Sequence, residues 1–147
     1  MTSSTPASQA VPNEMIVRRF VDEVLNNDDD SAMSDLVHRD YRHLTPDGEL
    51  RGRDGLKALF DDYRGGLPDL NVVIDDLVVS GDKVVTSIRL TGTHSSDLLG
   101  IPATGKLLRV HGMVLSRLED GKIIEEWEIL DLLGMFRQLG VVSLPER

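Results

Sequence analysis

Residues 107–130, LLRVHGMVLSRLEDGKIIEEWEIL, decide the reading of the fold. Apolar and polar residues alternate on both sides of Glu119-Asp120-Gly121, the pattern of two half-buried strands joined by a tight turn. The turn reads as a three-residue loop with Gly121 in the left-handed position that forms a bulge. That loop pairs Leu118 with Lys122, Arg117 with Ile123, Val114 with Glu126 and Gly112 with Glu128. One face then carries Val110, Gly112, Val114, Ile124, Glu126, Glu128 and Leu130, and the other Arg109, His111, Met113, Leu115, Ile123, Glu125, Trp127 and Ile129. A two-residue Asp-Gly turn is the alternative, and it sets Glu126 and Glu128 opposite Leu115 and Met113.

The first face is apolar apart from two carboxylates. Desolvation there disfavours the charged form and moves a glutamate toward the range useful for proton transfer near neutral pH. Glu126 and Glu128 are therefore the acid–base candidates. Parity leaves a second possibility open, in which this face is the solvated convex surface and Trp127 and Met113 point into the core.

Working outward, Leu70–Val79 and Lys83–His94 are two further strands. The apolar parity of the first switches at Asp75-Asp76, which signals a bulge and a bend. The loop 95–106 contains Leu98, Leu99, Ile101 and Pro102, too apolar for a solvated connector. Upstream, Val17, Phe20, Val21, Val24 and Leu25 recur at helical spacing behind Asn13, a suitable cap. A second helix is expected over Ser31–Val37, a polar loop over His38–Arg53, and a third helix from Asp54 with Leu56, Leu59, Phe60 and Tyr63 inward, ended by Gly65-Gly66. An amphipathic segment, Asp131–Leu139, closes the chain. Three helices before any sheet, then a bent meander, is an α+β pattern. It predicts a cone-shaped barrel, a strongly bent antiparallel sheet wrapped around N-terminal helices and enclosing an apolar pocket.

The chain has 147 residues, enough for one domain. It divides into a disordered leader at 1–12, a domain at 13–140 and a tail at 141–147. Met1–Val11 lacks the basic residue and apolar stretch of a signal peptide, and no segment approaches the roughly 20 apolar residues of a membrane span; a cytoplasmic protein is expected. A net charge of −9 gives no electrostatic basis for gripping nucleic acid or anionic lipid. Cysteine is absent, so thiolate chemistry and Cys-ligated metals are excluded and any catalysis runs on carboxylates, imidazoles and hydroxyls. His38, His43, His94 and His111 lack metal-site spacing, and no metal is expected. Tyr41-Arg42-His43 falls at the expected pocket rim, where both Tyr41 and His43 could hydrogen-bond a ligand. His94 shares the parity of Ile88 and Leu90, which would line the interior; an ordinary polar turn is the other reading of Thr93–Ser96.

Several motifs occur in a telling order: Gly92-Thr93-His94, Leu99-Gly100-Ile101-Pro102-Ala103-Thr104-Gly105-Lys106, Glu119-Asp120-Gly121-Lys122-Ile123 with Trp127 and Asp131, and Gly134 through Arg137-Gln138-Leu139-Gly140. Together they resemble the SnoaL-like polyketide cyclases of the nuclear-transport-factor-2-like superfamily, over roughly Asn13–Gly140. The resemblance implies a cofactor-free homodimer or homotetramer acting on an aromatic polyketide-type small molecule. It places Glu128 where such cyclases carry the acidic residue of an intramolecular aldol closure. Related limonene epoxide hydrolases have Tyr-x-Asn where this chain has Tyr41-Arg42-His43. Two departures stand out: Val114 occupies the place of a pocket histidine, and Glu replaces the catalytic Asp. The expected site is Glu128 as base, with His43, Tyr41 or His94 stabilising an enolate oxygen, in a pocket shaped by Glu126, Val114, Gly112, Ile88 and Leu90. Hydroxylation of an anthracycline-type aromatic, or binding without catalysis, are the alternatives. If the glutamates face inward, Met113, Leu115, Trp127 and Ile129 form an outer apolar patch, which a second subunit would cover.

Overall fold

The computed structural model describes residues 11–146, so most of the expected leader lies outside the described residues. Helix α1 (Asn13–Arg19) runs directly into a π-helical stretch, Phe20–Asn26, and together they bury Ile16, Val17, Phe20, Val21, Val24 and Leu25. Asn13 does not cap α1. Pro12 occupies that place, and the Asn13 amide instead donates to the Gly81 carbonyl. Helix α2 (Asp30–Leu36) is capped by Asp29, whose carboxylate accepts from the Ala32 N–H.

The expected loop 38–53 is instead two strands, β1 (Val37–Thr45) and β2 (Gly48–Arg51). Their polar sequence hid them because β1 carries charges on its outer side, where Arg42 pairs with Glu49 of β2 and Glu125 of a distant strand. Strands therefore precede the third helix, α3 (Gly52–Gly66), and the expectation of three helices before any sheet does not hold. Next come β3 (Asn71–Ser80), β4 (Lys83–Thr93), β5 (Leu107–Glu119), β6 (Lys122–Leu130) and α4 (Leu132–Gln138). The register of β3 shifts between Ile74 and Asp76, at the anticipated parity switch. Asp131 caps α4 by accepting from the Gly134 N–H.

The strands form one sheet in the order β2-β1-β6-β5-β4-β3. It is mixed rather than wholly antiparallel, because β1 runs parallel to β6. It is also open: β2 and β3 are its edges, and the expected barrel is a cone-like curl. The inner residues of β4, β5 and β6 join the helices in one core. The loop 95–106, too apolar for a solvated connector, folds back with Leu98 buried. A Cβ on Gly66 would come within 2.7 Å of the Leu98 Cβ, so glycine at the end of α3 is what admits that loop.

Candidate active site

The β5–β6 hairpin turns on two residues, Asp120 and Gly121, both at positive φ (55° and 72°). This is the geometry that matches strand twist in a two-residue hairpin, and the expected three-residue loop is corrected. The register then shifts by one between Arg117–Glu125 and Leu118–Ile123, leaving Ile124 as a bulge. Glu128 consequently faces Val114 and Glu126 faces Ser116, while Gly112 faces Leu130. Without the bulge a two-residue turn would have put both glutamates on the outer face. With it they point inward and are buried, as is Ile123, which the sequence had placed outside.

On the other side of β6, the parallel strand β1 sets His43 beside Glu126. Side chains of the two strands meet in a continuous buried chain. The Ser116 hydroxyl donates to Glu126 Oε2 (2.6 Å), and the Tyr41 hydroxyl donates to Glu126 Oε1 (2.8 Å). His43 Nδ1 lies 2.7 Å from the Tyr41 oxygen, and His43 Nε2 lies 3.1 Å from Glu128 Oε1.

Counting protons along this chain constrains its charge. A phenol has one proton, and when Tyr41 gives it to Glu126, His43 Nδ1–H must donate to the phenol oxygen. The last bond then requires a further proton, either on Nε2, making an imidazolium, or on Glu128. Reversing the chain, with Glu126 protonated and Tyr41 donating to Nδ1, leaves Nε2–H to donate to Glu128 and gives the same total. Every fully bonded arrangement holds one proton more than two carboxylates and a neutral imidazole would, so the network carries a net charge of about −1. The electrostatics agree. Burial pushes Glu126 up, although the His43 charge and the Ser116 and Tyr41 hydrogen bonds pull against it. Burial disfavours a charged His43, but the hydrogen bond and charge of Glu128 outweigh it and raise the ring's pKa. Burial and the Glu126 charge hold the Tyr41 phenol well above its usual value.

Glu128 is the member of this chain that reaches a large cavity. The cavity measures about 770 Å³ and is walled by the β1–β2 turn (residues 45–50), Leu59 and Tyr63 of α3, Leu99, Leu130, Leu132 and Phe136. That is a volume suited to a multi-ring small molecule. Behind Glu128, His43, Glu126, Val114, Ile88 and Thr86 border a second cavity of about 20 Å³, room for about one water.

The other expected pocket residues are placed differently. His94 is buried, but its Nδ1 accepts the Thr104 N–H and its Nε2 faces the Ile101 carbonyl at 3.1 Å, so it pins the loop rather than a ligand. Leu90 packs in the core. Gly112 acts through absence, since a Cβ there would collide with the Leu130 side chain on the cavity wall. Sequence reasoning missed Ser116, although it shares the parity of Val114. It also took Tyr63 for a core residue and the 45–50 turn for a plain loop. Among the described residues one cluster has metal-ligand character, half-buried His38 with exposed Glu119 and Asp120 at the far end of β1. His38 Nδ1 accepts the Asp40 N–H, which leaves Nε2 protonated and without a lone pair for a metal.

A curled sheet over helices, with a carboxylate on the wall of a largely apolar cavity and a buried Tyr–His–Glu chain behind it, is the cone-shaped α+β architecture with the kind of groups that proton-transfer chemistry uses. The chain belongs to the SnoaL-like polyketide cyclase family, whose family model it matches over residues 15–139. It is 30% identical over 129 residues to the aklanonic acid methyl ester cyclase DnrD of Streptomyces peucetius, covering 85% of this chain and 88% of that one. The structure of TsrD from Streptomyces laurentii superposes with a TM-score of 0.79 at 33% identity, covering 88% and 95% of the two chains. AclR of Streptomyces galilaeus, described as a hydroxylase, shares the fold with a TM-score of 0.79 at 23% identity over 89% of this chain and 97% of its own. The expected family, fold class and enzyme class are thus borne out: this is an α+β enzyme of the polyketide cyclase type. Among the described residues no helix is long and apolar enough to cross a membrane.

Proposed function

We propose that Glu128 is the general base of a cofactor-free intramolecular aldol cyclisation of a planar aromatic polyketide ester bound in the 770 Å³ cavity. The observation that carries this is the position of Glu128, the one carboxylate among the described residues that both lines the cavity and is hydrogen-bonded to the buried relay. Glu128 takes the proton α to a carbonyl, the enolate carbon bonds to a ketone carbon of the same molecule, and the resulting alkoxide recovers the proton from the Glu128 carboxyl. Atoms and electrons balance within substrate and enzyme, so neither oxygen nor reductant is consumed. His43, Tyr41, Glu126 and Ser116 position the base and hold the network's extra proton.

The apolar outer face of β5 and β6 supports a homodimer as the working form, since exposed Met113, Trp127 and Ile129 lie together there. The enzymatic test is Glu128→Gln, assayed anaerobically with aklanonic acid methyl ester, the compound in DnrD's name. The exchange keeps shape and removes the ionisable oxygen, and turnover is expected to fall about 10²–10⁴-fold with the fold intact. Activity within a few-fold of wild type would overturn the assignment of Glu128.

A further inference from the structure

Loss of a proton α to a carbonyl places negative charge on the carbonyl oxygen, and a site for that chemistry needs a donor aimed there as well as a base. The three side chains expected from sequence to fill this role are engaged elsewhere. Tyr41 and His43 bond each other and the two glutamates, and His94 bonds the loop that follows it. The cavity wall, however, carries a phenol. Tyr63 follows Leu59 by four residues on α3, so the two share one row of the helix, and both line the cavity while Leu56 and Phe60 are buried in the core. The Tyr63 ring is fixed against Phe60, with centroids 6.2 Å apart and planes at 44°.

No group among the described residues hydrogen-bonds the Tyr63 hydroxyl, and no side-chain oxygen among them is sealed in the interior without a partner, so this hydroxyl is accessible on a residue that lines the cavity. It is a donor across the working pH range, because burial and then the Glu128 charge push the phenol up to about 12. Among the residues lining the cavity there is no lysine, arginine or histidine to compete for an anionic oxygen.

We propose that Tyr63 is a catalytic residue that donates its hydroxyl hydrogen bond to the substrate carbonyl oxygen as Glu128 removes the adjacent proton. This rests on the assignment of Glu128 as base. The division of labour is spatial: β6 supplies the base, α3 supplies the donor, and substrate orientation follows from having the α-carbon at one and the carbonyl oxygen at the other.

The test is Tyr63→Phe, which removes only an oxygen with no hydrogen-bond partner among the described residues and should leave the melting temperature unchanged. With aklanonic acid methyl ester, kcat is expected to fall about 10²-fold while KM changes less than about threefold, the signature of a bond made in the transition state. Alizarin supplies a readout independent of turnover, as a planar aromatic whose ionised hydroxyl mimics the enolate. Its anion should bind wild type about tenfold more tightly than Tyr63→Phe, and should bind Glu128→Gln more tightly than wild type as a negative neighbour is removed. Alizarin binding and kcat both indifferent to Tyr63→Phe would overturn the Tyr63 assignment while leaving Glu128 standing. Failure of wild type to bind alizarin, with Glu128→Gln fully active, would overturn the site reading itself.

Discussion

His43 and Glu128 sit on two strands that run parallel, and His43 Nε2 reaches Glu128 Oε1 at 3.1 Å although 85 residues separate them in the chain. The parallel pairing explains the reach. Directly beside His43 is Glu126, and the imidazole leans one pleat further along β6 to the next inward residue. One ring therefore couples the carboxylate of the cavity to the sealed one behind it.

That coupling sets the pH response of the fold. Glu126 and His43 both hold their proton more tightly folded than unfolded, their pKa values lying above the ordinary 4.5 and 6.5. A raised folded pKa gives stability that is complete below the unfolded value and is lost as pH rises through the folded one. The groups held low, such as Asp75 beside Arg89 and Glu49 beside Arg42, act in the opposite sense and at lower pH. The melting temperature is therefore expected to fall by about 3–6 °C between pH 5 and pH 8. Glu126→Gln should flatten that slope, and differential scanning calorimetry across the window checks it; an equally steep decline in the variant would contradict the extra-proton count.

Tyr41 is the joint of the relay, so removing its hydroxyl strands two groups at once. Tyr41→Phe leaves Glu126 Oε1 and His43 Nδ1 buried without a shared partner and is expected to cost about 2–3 kcal/mol in urea denaturation. In a Glu126→Gln background the same change should cost about 1 kcal/mol less, since the groups belong to one network. Strict additivity would show that Tyr41 and Glu126 are not energetically coupled.

The parts of this architecture that follow local rules were visible in the sequence. The helical row of Val17, Phe20, Val21 and Val24, the parity slip in β3 and the amphipathic α4 all report on near neighbours. What the sequence concealed depends on distant partners. β1 looked like a loop because its charges are neutralised by Glu49 and Glu125, the latter 83 residues away in the chain. The inward face of β6 was identified through an incorrect turn, and the compensating bulge at Ile124 restored the parity. Tyr41, His43, Glu126 and Glu128 were singled out by residue type and face, but their union in one proton chain depends on the parallel β1–β6 pairing, which has no local signature. Tyr63 was read as core because helical periodicity does not distinguish a row facing a cavity from one facing a neighbour.

His94 separates loop order from chemistry. His94→Leu leaves the Ile101 carbonyl and the Thr104 N–H without their buried partner, at a cost of about 1–3 kcal/mol. Leu99, on the loop that His94 pins, forms part of the cavity wall. The expected result is faster amide exchange across residues 95–106 and a KM several-fold higher, with kcat within about threefold of wild type. A collapse of kcat at unchanged KM would instead return His94 to the reacting atoms.

The outer face of the sheet yields the last expectation. Because Glu126 and Glu128 point inward, Trp127 and Ile129 point outward, and the register sets Trp127 against Leu115 and Ile129 against Met113. Met113 is 53% exposed, Trp127 48% and Ile129 63%, so three large apolar side chains share one exposed surface. An isologous sheet-to-sheet contact centred there would place two copies of Trp127 near the two-fold axis, with about 800 Å² per subunit needed for a stable pair. Introducing a carboxylate at that centre desolvates an unpaired charge in each subunit and brings two like charges together. Sedimentation at micromolar concentration should show a dimer for wild type and a monomer for Trp127→Glu, with the inner relay undisturbed because this side chain lies on the opposite face. A monomeric wild type, or a dimer that tolerates the charge, would show that the outer face of β5 and β6 is not the interface.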